Sequence, residues 1–154
     1  MKRIVLYFVL SITSIQLLAQ NGEIRKKHFN LKKNVAIQGY DPVSYFDHDP
    51  KKGDMNISYK YNGILYYFSS QSNLEAFKKA PERYEPQYGG WCAYAIGKTG
   101  DKVKIDPTTY KIIDDKLYLF YNFRGTNTLD SWNKEEQSLK NKGDRNWHQL
   151  VNDK

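Results

Sequence analysis

The chain has 154 residues, a formal net charge of +7 and an aromatic share of 15%. That length suits one domain, and the aromatic side chains can supply its core without disulfides, which a single cysteine, Cys92, rules out within the chain. The lysines fall in scattered pairs (Lys26-Lys27, Lys32-Lys33, Lys51-Lys52, Lys78-Lys79) with no long basic tract, which argues against nucleic acid and for a solvated basic surface.

Residues 1–19 read as an export signal. Lys2 and Arg3 precede an apolar run from Ile4 to Leu18, and Ala19 is a small residue suited to the position before a cut. The run is short for a spanning helix, which needs about 20 apolar residues. The alternative is an uncleaved anchor. The expectation is a periplasmic or secreted protein that meets the membrane only through this segment. Residues 20–33 are polar and charged and read as a flexible leader, with the domain at 34–154.

Gly39 and Pro42 favour a turning backbone through Gly39-Tyr40-Asp41-Pro42-Val43-Ser44-Tyr45-Phe46, and Asp47 to Asp54 reads as a charged loop. Ile57, Tyr59 and Tyr61 alternate with polar residues before Asn62-Gly63 and Ile64 to Phe68. That pattern predicts a hairpin whose two-residue turn has positive φ at both positions. Ser72 with Glu75 three residues on predicts a capped helix that Pro81 ends near Ala80. The run Trp91 to Ile96 fits a buried strand or a short helix equally well. Val103 and Ile105 open a strand, and a second hairpin turns at Asp114-Asp115 before Leu117 to Tyr121. Leu129, Trp132 and Leu139 share a helical face. After Gly143, Asp144 is placed to cap a last helix carrying Trp147, Leu150 and Val151. The expected class is α+β: a small domain with two β-hairpins forming an antiparallel sheet, packed by a central short helix and C-terminal helices.

Taken in order, these segments resemble the YHS-domain family, specifically its stand-alone exported branch. The residues that carry the resemblance are Gly39 to Phe46, Tyr61-Asn62-Gly63, Phe68-Ser69-Ser70, Asn73, Pro81, Tyr84, Pro86 to Gly90 and Cys92 to Ala95. Asp106-Pro107, Lys116 to Leu119, Tyr121-Asn122 and Trp132 continue it. The resemblance implies a small mixed α+β domain and says little about activity. Related short domains carry cysteines thought to bind metal at three places, where this chain has Ser44, Ser69 and Asn73. Hydroxyls and an amide do not replace thiolates for soft metals, so that site is expected to be absent.

Cys92 is the most reactive side chain available, as ligand, nucleophile or redox thiol. Its apolar neighbours Trp91, Ala93 and Ala95 favour a buried, inert thiol instead. His28, His48 and His148 form no local metal-ligand pair, although His48 between Asp47 and Asp49 offers ligands to a weakly held ion. No Ser-His-Asp set or phosphate loop is present. Gly89-Gly90 lacks the following lysine and hydroxyl. The leading expectation is a binding module, not an enzyme, with a pocket built from Tyr40, Asp41, Tyr45, Tyr88, Trp91, Cys92 and Tyr94. Its ligand is a small molecule or a metal ion held by Cys92 and His48. The alternatives are a thiol-dependent enzyme or redox protein using Cys92, and a structural partner of an envelope protein.

Overall fold

Both turn signals are realised in the computed structural model, which describes residues 22–152. The export segment lies outside that range. Strands β3 (Asp54–Tyr61) and β4 (Ile64–Phe68) are joined through Asn62 and Gly63, at φ 44° and 87°. Strands β5 (Asp106–Ile113) and β6 (Lys116–Phe120) are joined through Asp114 and Asp115, at φ 50° and 58°. Positive φ at both central residues matches the twist of the flanking strands, and aspartate tolerates it in place of glycine. Along β4 the alternation sends Ile64, Tyr66 and Phe68 into the core.

The architecture is α+β, but the two hairpins lie in separate sheets. The free edge of β4 is taken in parallel by β2 (Val35–Ala36), and β1 (Leu31–Lys32) pairs beyond it, giving the order β1-β2-β4-β3. The free edge of β6 is met by the incoming chain, through bridges from Pro86 to Leu117 and from Cys92 to Leu119. The β4 and β6 edges are thus occupied by other parts of the chain, and each hairpin lies in its own sheet. A third small ribbon joins β7 (Asn122–Phe123) and β8 (Thr126–Asn127).

The stretch expected as a flexible leader is structured from Gly22 onward. Helix α1 covers 22–28 and runs into β1. Its sequence has no apolar stripe, so tertiary partners hold it. Gly22 lies against the Gly63 turn so closely that a Cβ on Gly63 would come within 2.7 Å of it. Arg25 pairs with Glu85, and the Trp91 indole donates to the His28 carbonyl at 2.6 Å.

Helix α2 (Gln71–Lys79) is capped two residues earlier than expected. Ser70, not Ser72, accepts from the Asn73 N–H at 3.2 Å. Pro81 ends α2 and opens the short α3 (Pro81–Tyr84). The ambiguous apolar run becomes α4 (Ala93–Lys98), with Cys92 just ahead of it. The strand expected from Val103 begins only at Asp106, because Val103 instead accepts a hydrogen bond from Cys92 N–H at 2.9 Å. Helix α5 (Thr128–Lys134) precedes α6 (Glu136–Asn152). Gly143 and Asp144 do not break α6. A Cβ at Gly143 would lie 2.7 Å from the Tyr88 hydroxyl, so glycine makes room there for a neighbouring side chain.

Two apolar clusters fill the interior. One surrounds Phe77 beneath β4, and the other surrounds Trp132 between β6, α4 and α6. Each of these large side chains is fully buried, which is worth about 1.5–3 kcal/mol apiece.

A cleft between the N-terminal and C-terminal helices

The chain reverses sharply at Gln87–Gly90. Tyr88, Gly89 and Gly90 all have positive φ, at 54°, 59° and 79°. Tyr88 is the only one of the three with a side chain, and a left-handed conformation costs such a residue about 1–3 kcal/mol. Three hydrogen bonds hold it there. Trp91 N–H donates to the Tyr88 carbonyl at 3.1 Å, Asn30 N–H to the Gly89 carbonyl at 2.8 Å, and the Tyr88 hydroxyl to Asp144 Oδ1 at 2.8 Å. Burial, and then the Asp144 carboxylate, push the Tyr88 phenol far above its ordinary pKa, so it remains a donor. Gly89 admits Trp147, whose ring would lie 2.7 Å from any Cβ there.

These contacts set α1, the 82–89 connection and α6 around a cleft of about 760 Å³. Its aromatic wall is Phe29, Trp147 and Tyr88, with ring centroids 6.3 Å apart for Phe29–Trp147 and 6.5 Å for Tyr88–Trp147. A charged network reaches in from the core. Arg25 Nη2 donates to Glu85 Oε1, which also accepts from the buried Tyr66 hydroxyl at 2.5 Å. The guanidinium lies over Phe29, 4.6 Å from its centroid. Burial raises the Glu85 carboxyl above its usual range, and Arg25 and Tyr66 offset part of that. Among the described residues, Arg25 Nε is the one buried side-chain nitrogen or oxygen without a hydrogen-bond partner. An orphaned buried donor costs about 1–3 kcal/mol, which the Arg25 contacts with Glu85 and Phe29 offset in part.

Of the residues expected to form a pocket, Tyr45 and Cys92 are buried in the core, while Tyr40, Trp91 and Tyr94 are half-buried. Tyr45 is fully buried, with its hydroxyl donating to the Pro107 carbonyl at 2.7 Å and its ring edge-on to Tyr110. Tyr40 lies under Lys52, whose ammonium is 4.4 Å from the ring centroid. Tyr94 packs against both cores. Cys92 has no exposed surface, and its sulfur sits 3.3 Å from Thr128 Oγ1 and 3.4 Å from Tyr121 N. Trp91 is tied to α1 through its indole N–H. Of the expected set, Tyr88 alone lines the cleft. His48 is exposed at the left-handed end of a short 3₁₀ turn. No group of three His, Cys, Asp or Glu side chains able to hold a metal ion forms among the described residues.

Asp41 is fully buried and saturated. Its Oδ1 accepts from Val43 N–H at 2.8 Å, and its Oδ2 from Ser69 N–H, Ser69 Oγ and Asn73 Nδ2 at 2.8, 2.7 and 2.7 Å. Ser44 Oγ donates to the Asp41 carbonyl at 2.7 Å. Ser44, Ser69 and Asn73 therefore converge on one residue and form a hydrogen-bond hub with it.

A family model, that of the YHS domain, matches residues 43–88. The chain carries a YHS domain. No curated protein and no solved structure matches the chain. The YHS span holds β3, β4, α2 and α3 and contributes Glu82, Glu85 and Tyr88 to the cleft. The opposing walls come from α1 and α6, outside that span, so the cleft forms where the YHS domain meets its flanking helices. Of the cleft residues, the sequence pointed to Tyr88; Trp147 was expected only as part of a helix face, and Arg25 and Phe29 lie in the stretch taken for a leader. The aromatic Phe29 within that charged stretch was the one available signal.

Proposed function

We propose that the chain is an exported binding module that holds a small organic ligand in the cleft between α1 and α6. The observation that carries this reading is the aromatic wall of Phe29, Trp147 and Tyr88 beside the Arg25–Glu85 pair, in a cleft of about 760 Å³. A concave aromatic surface with a few convergent polar groups is the usual form of a small-molecule site. Export is supported by the order of Lys2-Arg3, the apolar run and Ala19. A chain recovered from the periplasm or medium beginning at Gln20 would bear it out, and one retaining Met1 would not.

Thiol chemistry is the weaker alternative, because an attacking thiolate needs access that the buried Cys92 lacks. The test of the cleft is a fragment library screened by ¹⁵N-resolved NMR. Hits should shift Arg25, Tyr88 and Trp147 together. Hits that cluster around Tyr40 and Tyr45, or an absence of hits, would contradict the reading.

A further inference from the structure

The chain is basic, yet the cleft gathers carboxylates. Glu82, Glu85 and Asp144 line it against a single guanidinium, Arg25. Arg25 is already paired with Glu85. Neither Glu82 nor Asp144 forms an ion pair among the described residues. The Tyr88 hydroxyl engages one Asp144 oxygen, which fixes the carboxylate at the cleft edge. His28 does not supply the missing cation at neutral pH. Burial, and then Lys102 and Lys27, push its imidazole below its ordinary pKa. The other histidine on the lining, His148, is exposed one helical turn beyond Asp144.

Trp147, with Phe29 and Tyr88 beside it, presents aromatic surface within the same cleft. We infer that the ligand is an organic ammonium ion, seated against Trp147, with Glu82 and Asp144 as counter-charges. This rests on the cleft being the binding site. Aromatic faces attract ammonium groups, and the attraction grows as water is excluded. A carboxylate ligand would instead face two uncompensated acids.

The test uses the full-length protein at pH 7 and two probes of matched shape, phenethylammonium chloride and sodium 3-phenylpropionate, at equal ionic strength. The Trp147 indole and Tyr88 amide signals should shift saturably with the ammonium probe. The carboxylate probe should bind about tenfold or more weakly, the ratio expected for one favourable charge and cation–π contact. Glu82 is exposed and unpaired, so Glu82→Gln keeps the fold. It should weaken the ammonium probe about threefold, and Glu82→Gln with Asp144→Asn about tenfold or more. Equal or tighter binding of the carboxylate probe at Trp147 overturns the ammonium assignment and leaves the cleft standing. Silence of Trp147 and Tyr88 to both probes overturns the assignment and the cleft together.

Discussion

Asp41→Asn tests whether the buried hub is structural, because it changes charge and donor pattern while keeping shape. The wild-type carboxylate takes three donors on Oδ2 and one on Oδ1. An asparagine does best with its carbonyl toward the three donors, which turns its NH₂ toward Val43 N–H. The three retained bonds lose their charge assistance, worth about 0.5–1 kcal/mol each, and one buried N–H is left facing a donor, worth about 1–3 kcal/mol. Relief from desolvating a charge offsets part of this. The net expectation is a loss of about 2–4 kcal/mol, and more for Asp41→Ala, which orphans every donor. Urea titration followed by tryptophan fluorescence measures it. The midpoint should fall with an unchanged slope, since the surface exposed on unfolding is the same. A change under about 0.5 kcal/mol for Asp41→Asn would show that the hub does not hold the Ser44, Ser69 and Asn73 segments together.

Gly143→Ala should destabilise by about 1–3 kcal/mol despite a helix-propensity gain near 1 kcal/mol, because the added Cβ meets the Tyr88 ring and hydroxyl. The loss should shrink in a Tyr88→Phe background, and thermal denaturation of wild type and the three variants reads the coupling. His28 has a folded pKa below its ordinary value of 6.5, so the stability it contributes is present above that pH and is lost as pH falls through the folded value. Wild type should therefore lose stability relative to His28→Gln as the pH drops below 6.5, in denaturant titrations across that range; a constant difference would contradict the burial argument. Cys92 should resist a disulfide-exchange reagent in the native protein and react once unfolded, with fast native labelling being the contrary result.

Local chemistry was legible wherever it decided the outcome. Asn62-Gly63 and Asp114-Asp115 announced their turns because few residues accept positive φ twice in succession. Pro81 marked the end of α2 for the same kind of steric reason. The sheet arrangement was not legible, since which chain covers the free edges of β4 and β6 depends on contacts far apart in sequence. Helix α1 was hidden by its charged composition, and its anchors, Glu85, Gly63 and Trp91, lie far from it in sequence. Gly143 was misread because glycine ordinarily stops a helix, whereas here its missing side chain accommodates Tyr88. The expected pocket failed on a related point. Tyrosines and a cysteine near one another in sequence serve equally well as core, and their hydroxyls found backbone partners such as the Pro107 carbonyl.

A ligand site between α1 and α6 requires that the space there stay open. Filling it is the direct measurement. His148 is an exposed lining residue, and His148→Trp puts an indole into the cleft without touching the core. Fragment affinities measured by NMR titration should collapse in this variant while its melting temperature stays within about 2 °C of wild type. Fragments that bind the filled protein as tightly as wild type would place the site elsewhere.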